Sequence, residues 1–125
     1  MDRAYVSDLR VTVARLTPGA HVATVSGELD AASSLLLLRR LRPIAERSRS
    51  HLIVDLSAVT FADDTALDVL ATTAELLGKS GGELFVATDD PRLRRLVEPR
   101  AAAAGWQLER TLVEAVEHVV ARQYA

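Results

Sequence analysis

Adjacent carboxylates at Asp63 and Asp64 come closest, in this sequence, to a pair of groups that could share acid–base chemistry. A general acid and a general base must flank the bond on which they act, and sequence neighbours rarely do so. A helix that begins here explains both residues, because Asp63 can cap its free amide groups and Asp64 can meet the positive end of its dipole. The pair therefore predicts a helix N-terminus and not a catalytic site.

Other residues with chemical potential also lack the required spacing. The segment Gly78–Ser80 is similar to the end of a phosphate-binding loop, but that loop needs a glycine at the position of Thr73, and this segment follows a helix. His21, His51 and His118 fall on three predicted elements without metal-ligand spacing. The chain has no cysteine and no Gly-x-Ser-x-Gly elbow. The sequence predicts no catalytic residue, metal or cofactor, and we expect the chain not to be an enzyme.

Composition and charge narrow the class of protein. With 125 residues, of which 49% are apolar and 26% charged, the chain has the size and balance of one soluble globular domain. A net charge of −2 provides no basic stripe for nucleic acid. No apolar run approaches the ~18 residues that span a membrane, and the first residues lack the apolar stretch of a secretion signal. We expect a cytoplasmic protein without nucleic-acid binding or direct membrane insertion.

The first part of the chain has the pattern of a hairpin followed by a helix. Alternating apolar residues predict strands over 9–16 and 21–27, separated by a Pro-Gly turn. Asp30 is a favourable N-cap for the helix that follows. Pro43 is expected to kink this helix or to end it near Leu41.

The rest of the chain alternates between strands and helices. The apolar run Leu52–Leu56 is typical of a strand that is buried on both faces, as in a parallel sheet. A helix over 64–78 and a strand over 83–87 are expected to follow. Asp90 is expected to cap the next helix, and Pro99 to disturb its end. A short edge strand over 106–109 then leads to a last helix, which begins after Thr111 and is expected to turn Val113, Val116 and Val120 inward.

This alternation predicts an α/β fold with a parallel or mixed sheet and helices packed against it. Ligands of such sheets bind beyond the carboxyl ends of the strands. Two segments reach that edge, Gly27–Asp30 and Ser57–Thr65. The stretch Leu52–Leu77, which joins a buried strand, a loop and a helix, is therefore the predicted working surface.

The helix over 64–78 has apolar residues on two faces. At about 100° per residue, the face expected to meet the core carries Leu67, Leu70, Ala71, Ala74 and Leu77. The opposite face carries Thr65, Val69, Thr72 and Leu76. Val69 and Leu76 fit two interpretations, packing against a neighbouring helix or docking of a partner protein, which includes a second copy of the chain.

Three segments, Gly27–Asp30, Val54–Leu67 and Gly82–Ala87, resemble motifs of the STAS family of anti-sigma-factor antagonists. Val54–Leu67 is similar to the family's buried strand ending in Asp-Leu-Ser and to its helix start, Val-x-Phe-x-Asp-Ser-Ser/Thr-Gly-Leu. The first segment resembles the family's Gly-Glu-Leu/Ile-Asp, and the third its Gly-Gly-x-Leu-x-Leu strand. The order of the predicted elements matches that of the family over nearly the whole chain. The resemblance is specific because three separate segments agree in order and spacing.

The resemblance implies a fold, a partner and a switch. The fold is a single STAS domain over residues 1–125, with a core of about 8–122 and a mixed sheet of four or five strands that carries about four helices, mainly on one face. The partner is an anti-sigma factor that is also a serine kinase of the histidine-kinase-like ATPase type. Binding of the antagonist frees the sigma factor, and phosphorylation of a serine at the start of the second helix ends that binding.

At the switch itself the sequence departs from the family pattern. The phosphoacceptor position holds Asp64, which has no hydroxyl and carries about one negative charge, against about 1.5 to 2 for phosphoserine. The family's glycine is replaced by Ala66, a strong helix former. Thr65 is the next hydroxyl in the loop and an alternative phosphorylation site.

Three hypotheses remain open at this point. In the first, the chain is an antagonist whose partner tolerates Asp64 and which phosphorylation there does not switch. In the second, Thr65 is phosphorylated instead. In the third, the chain is a constitutive subunit of a larger assembly, such as the STAS component of a lipid or anion transporter or a stress-signalling complex. The predicted partner-binding residues are Asp30, Asp63, Asp64, Thr65, Asp68, Val69, Thr72 and Leu76.

Overall fold

Five strands form one mixed sheet in the computed structural model, which describes residues 8–47 and 49–124. β1 pairs antiparallel with β2, and β2 to β5 run parallel, side by side in chain order. This mixed sheet with four helices confirms the predicted fold class. The elements of the described residues are β1 (Arg10–Thr17), β2 (Ala20–Leu29), α1 (Ala31–Ala45), β3 (His51–Ala62), α2 (Asp64–Lys79), β4 (Leu84–Ala87), α3 (Pro91–Ala104), β5 (Gln107–Glu109) and α4 (Leu112–Gln123).

The helices cover the two faces of the sheet unequally. Helices α1, α2 and α3 pack on one face around a large apolar cluster, whereas α4 packs alone on the other face around a small one. The central strand β3 serves both clusters, because successive strand residues point to opposite faces. Leu52 and Val54 belong to the large cluster, and Ile53 between them belongs to the small one. The predicted strand Leu52–Leu56 is therefore buried on both sides, as expected.

The prediction that Pro43 ends α1 near Leu41 was wrong, since α1 continues through Pro43 to Ala45. Helix α3 likewise continues through Pro99 to Ala104. A kink at Pro43 and a disturbance at Pro99 stay predictions. Each proline removes one helical hydrogen bond, and the carbonyl that loses its partner belongs to an exposed residue, where water can replace the amide. Buried residues beyond each proline, such as Ile44 and Ala101, keep the last turn packed on the core.

The inward orientation predicted for α4 was wrong for Val113 and Val120. Ala115 and Val119 face the sheet and are fully buried, whereas Val113 is 67% exposed and Val120 37% exposed. Phe85 fills the space beneath α4 together with Ile53, which leaves room for a small residue such as Ala115 at the closest approach. Val116 is half-buried at the margin of this cluster.

The ends of β2 and β3 are irregular and run further than predicted, to Leu29 and Ala62. Their pairing shifts register twice, between Thr24 and Ser26 of β2 and again after Gly27. Gly27 has a φ of 104°, and a Cβ there would lie 2.8 Å from the carbonyl oxygen of Asp8, so this position requires glycine. These irregular ends set the positions at which α1 and α2 begin.

Within residues 8–47 and 49–124, none of the helices combines the length and the apolar character that crossing a bilayer requires. The first residues, from whose composition we predicted the lack of a secretion signal, lie outside the described residues.

Candidate protein-docking site

Aspartates cap the helices that follow β2, β3 and β4, whereas Thr111 caps α4, which follows β5. Asp30 caps α1, Asp63 caps α2 and Asp90 caps α3. The Asp63 carboxylate accepts a hydrogen bond of 2.9 Å from the backbone amide of Thr65, and Asp63 itself donates a backbone bond of 3.2 Å to the carbonyl of Leu29. The predicted capping roles are confirmed, and these carboxylates hold the backbone of the edge in place.

The start of α1 is fixed by a reciprocal pair of bonds. The Asp30 carboxylate accepts from the Ser33 amide at 3.0 Å, and the Asp30 amide donates to the Ser33 hydroxyl at 2.9 Å. These bonds from the Ser33 backbone and side chain lower the pKa of Asp30. The Ser33 hydroxyl is also 2.6 Å from the Glu28 carbonyl, to which it donates. The Gly27–Asp30 motif thus ends in a rigid helix start.

Thr65 and Asp64, the two residues in question for the switch, have different surroundings. The half-buried Thr65 hydroxyl donates to the Asp63 carboxylate in a short contact and lies 3.3 Å from the Ser34 hydroxyl of α1. The Asp64 side chain is exposed and makes no hydrogen bond or ion pair with any residue that the structure describes. Thr65 therefore joins α2 to α1, while Asp64 presents a free carboxylate to solvent.

A groove runs between α1 and α2 and has a volume of about 260 Å³. Val69 is 6% exposed and belongs to the large apolar cluster, and Leu76 is half-buried against it. Of the two interpretations of this helix face, the structure shows packing against α1, which leaves little of Val69 for a partner. The groove is lined by Ala31, Ser34, Leu35, Leu38, Thr65, Asp68, Val69 and Thr72.

Two exposed apolar residues at this site were missed by sequence reasoning. Leu35 on the groove is 62% exposed, and Phe61 at the end of β3 is 49% exposed. Phe61 lies on a second depression of about 200 Å³, between the end of β3 and the start of α3. The signal for Phe61 was an aromatic residue close to Asp63 and Asp64 in the sequence, beyond the predicted strand Leu52–Leu56.

Carboxylates dominate the surface around the start of α2. Asp68 pairs with Arg100 of α3 at 3.3 Å, and both side chains are largely exposed. Asp64 has no such partner in the described chain. The exposed apolar side chains of Leu35 and Phe61 therefore flank an acidic helix start, a combination that suits a protein partner with cationic and apolar groups.

The discarded motifs are structurally ordinary. Gly78 and Lys79 end α2, and Ser80 caps it, as predicted. His51 accepts a 3.2 Å bond from the Glu83 amide, and His118 lies 2.6 Å from the Glu109 carboxylate. Among the described residues, no group of three or more histidines and carboxylates could hold a metal ion.

Comparison with known proteins places this architecture in a family. A family model for the STAS domain matches residues 12–115. The chain belongs to the STAS domain family. This STAS domain is 28% identical over 81 residues to the anti-sigma F factor antagonist of Paenibacillus polymyxa, a match that covers 64% of the chain and 69% of that protein.

Two further similarities concern a sequence and a structure. The STAS domain is 34% identical over 74 residues to the anti-sigma-B factor antagonist of Bacillus subtilis, which covers 59% of the chain and 67% of that protein. It superposes on the crystal structure of an anti-sigma factor antagonist from Mycobacterium paratuberculosis with a TM-score of 0.78 and 31% identity, covering 90% of this chain and 94% of that one. The family resemblance seen in the three sequence segments is confirmed.

Proposed function

We propose that this STAS domain is a regulatory anti-sigma-factor antagonist, which binds an anti-sigma factor through the surface around the start of α2. The proposal is carried by one observation, the exposure of Leu35 and Phe61 on either side of the unpaired Asp64 carboxylate. The similar proteins from Paenibacillus, Bacillus and Mycobacterium, all named as antagonists, support it. We call Leu35, Phe61, Asp64, Asp68 and Thr72 the α2 docking surface.

The remaining predicted partner-binding residues have a supporting role in this proposal. Asp30 and Asp63 hold the starts of α1 and α2 through their capping bonds. Thr65 joins the two helices through its contacts with Asp63 and Ser34. Val69 and Leu76 pack in the interface between the helices. In this proposal these residues hold α1 and α2 in position, whereas the residues of the α2 docking surface contact the partner.

We further propose that phosphorylation at the family's usual position does not switch this antagonist. Asp64 occupies that position and offers no hydroxyl. Thr65 is a poor substitute, because its hydroxyl is already bonded to Asp63 and a phosphate there would crowd the carboxylates of Asp63 and Asp64. The free charge of Asp64 is then permanent, and the partner must accommodate it with cationic groups.

The proposed partner is an anti-sigma factor of the serine-kinase type. Since such a partner acts on the transcription machinery, we propose that the complex forms in the cytoplasm. The antagonist contributes binding and no bond-making step, in keeping with a site built from capping carboxylates and exposed apolar side chains.

Titration calorimetry with purified anti-sigma factors from the source genome tests the docking surface. We expect one of them to bind, and we expect Leu35→Ser and Phe61→Ser to weaken that binding about tenfold or more, because exposed apolar anchors dominate such interfaces. Val113→Ser is the matched control, since Val113 is 67% exposed on α4 at the other face of the sheet. Unchanged affinity in both docking variants, or no binding to any anti-sigma factor, would overturn the proposal.

Incubation of the wild type with ATP and the bound kinase, followed by mass spectrometry, tests the missing switch. We expect an unmodified wild type and a phosphorylated Asp64→Ser variant, because only the variant carries a hydroxyl at the exposed position 64. Asp64→Ala is the control without a hydroxyl. A phosphate found on Thr65 of the wild type would contradict the proposal of a permanent state.

A further inference from the structure

A second groove lies on the other flank of α1, between this helix and the edge strand β1. Its lining consists of Leu9, Val11, Leu36, Arg39 and Arg40, and it has a volume of about 290 Å³. We call it the α1–β1 groove. It shares no residue with the α2 docking surface, because Leu36 lines this groove while its neighbour Leu35 lines the groove on the other side of α1.

The apolar part of the α1–β1 groove is open to solvent. Leu36 is 44% exposed, although a leucine on a helix that packs against a sheet normally turns toward the core. Leu9 and Val11 are half-buried and continue the large apolar cluster out to the surface. The groove therefore offers an apolar floor that is continuous with the core of the domain.

Two cationic side chains flank this floor. Arg39 and Arg40 are exposed, and neither side chain makes a hydrogen bond or an ion pair within the part of the chain that the structure describes. Arg42, one turn further on, differs in pairing with Glu46 at 3.4 Å. Among the residues that the structure describes, no carboxylate lines the groove. The charge of Arg39 and Arg40 is thus available to a ligand.

We propose that the α1–β1 groove binds an acidic helical segment of a partner protein, with leucine-like side chains on the floor and carboxylates on Arg39 and Arg40. An amphipathic helix lays its apolar face into a groove of this kind, and guanidinium groups bind carboxylates in a fixed, often bidentate geometry. The pattern of exposed leucine beside unpaired arginines matches such a segment in both apolar and charged groups.

The groove has only two cationic residues, which favours an acidic protein segment over a membrane surface or nucleic acid as its ligand. Recognition of an anionic membrane typically takes a cluster of about four to eight basic residues, and nucleic acid takes a longer basic stripe. Here two arginines flank an apolar floor in a chain with a net charge of −2. An acidic protein segment needs only two such contacts, because the apolar floor supplies the remaining attraction.

Nuclear magnetic resonance of the ¹⁵N-labelled 125-residue chain tests the proposal. The probe is a synthetic helical peptide with leucines three and four residues apart and glutamates beside them. We expect amide shifts at Leu9, Val11, Leu36, Arg39 and Arg40, and no comparable shifts along α2. Two matched peptides, one with glutamine for glutamate and one with alanine for leucine, should bind more weakly.

Variants of the chain provide the second part of the test. We expect Arg39→Ala combined with Arg40→Ala to weaken binding about threefold to tenfold at low salt, the effect of losing two exposed ion pairs. Arg95→Ala combined with Arg110→Ala is the charge-matched control, since both residues are exposed and lie outside the groove. Circular dichroism should show both double variants folded.

Three outcomes would overturn the proposal. The first is equal binding of the glutamate and glutamine peptides. The second is binding of DNA or anionic vesicles, but not of the peptide, through Arg39 and Arg40. The third is self-association in sedimentation that disappears in the Arg39→Ala and Arg40→Ala variant, which would assign the groove to a second copy. None of these outcomes affects the proposed function, whose test uses the α2 docking surface.

Discussion

The two ends of the parallel sheet are built in different ways. At the carboxyl end, α1, α2 and α3 begin at aspartate caps, and Phe61 and Asp64 remain exposed. At the amino end, the chain returns through turns in which backbone packs directly on backbone, and a Cβ at Gly82 would lie 1.5 Å from the Ser50 carbonyl oxygen. The helix starts at the first end are held by side chains that can be exchanged, whereas the turns at the second end meet at a contact that admits no side chain.

The turns at the amino end are also bonded to one another. The Arg49 amide donates to the Ser80 carbonyl at 2.6 Å, and the Ser80 hydroxyl lies 3.2 Å from the Ala45 carbonyl. The Gly82 amide donates to the Leu77 carbonyl at 2.7 Å. The turns at the amino end of the sheet are therefore held together by hydrogen bonds as well as by the close contact at Gly82.

The largest effect expected from this contrast is that of Gly82→Ala. The added Cβ cannot coexist with the Ser50 carbonyl, so the two turns must separate, and we expect a loss of more than about 4 kcal/mol or of cooperative folding altogether. Gly78→Ala is the control, because a Cβ there meets nothing within 4 Å and alanine favours the helix. Urea unfolding followed by circular dichroism measures both. A wild-type midpoint for Gly82→Ala would show that the contact does not exist.

A smaller effect is expected at the carboxyl end, where a cap can be lost without rearrangement. Asp63→Ala removes the acceptor for the Thr65 amide, and we expect it to lower the free energy of unfolding by about 1 kcal/mol. Asp64→Asn removes only an exposed charge at the same helix start and should cost a few tenths of a kcal/mol. Equal losses in the two variants would mean that the Asp63 cap contributes nothing beyond its charge.

Two histidines, His21 and His118, respond to pH with opposite signs. Burial lowers the pKa of His21 from its usual 6.5, and the nearby Arg47 and Arg15 lower it further. Unfolded chains take up a proton there below about pH 6.5 and folded chains resist it, so His21 costs stability as the pH falls. The hydrogen bond that His118 donates to the Glu109 carboxylate raises the pKa of His118. The stabilising contribution of His118 is present below pH 6.5 and is lost as the pH rises through the raised value.

Urea midpoints measured between about pH 5 and pH 8 distinguish the two histidines. We expect His21→Leu to flatten the decline on the acid side, since it removes the group that must be protonated on unfolding. We expect His118→Gln to steepen that decline, because it removes a group that stabilises the fold when protonated. Parallel pH curves for the wild type and both variants would contradict the assignment.

The smallest effect on stability is expected for the exposed residues of the α2 docking surface. Leu35→Ser and Phe61→Ser should change the free energy of unfolding by less than about 0.5 kcal/mol, as exposed substitutions usually do. The same urea series measures them. A larger loss would show that these side chains support the fold. Weaker binding by the variants would then reflect unfolding and not the loss of contacts with the partner.

Local sequence signals predicted the elements and the caps, because these depend on neighbouring residues. Asp30, Asp63 and Asp90 each precede a helix, and the sequence alone indicated their roles. The continuation of α1 past Pro43 was not predictable in this way, since it depends on the burial of Ile44 and Ala45 against distant residues.

The candidate site was predicted in part for the same reason. The family motif located Asp64 and Thr65, but only the packing of α1 on α2 shows that Val69 is covered and that Leu35 is exposed. The facing of α4 likewise depends on the size of Phe85 beneath it. Pairing between helices distant in sequence is not encoded in the periodicity of either one.

The unpaired carboxylate of Asp64 has a consequence for how such a protein would be controlled. A phosphate is added and removed within minutes by enzymes, whereas a carboxylate that belongs to the residue lasts as long as the polypeptide. Under the proposed function, the antagonist is a stoichiometric titrant: the amount of free sigma factor follows the ratio of antagonist copies to anti-sigma copies. Control then passes from a covalent signal to synthesis and degradation of the chain.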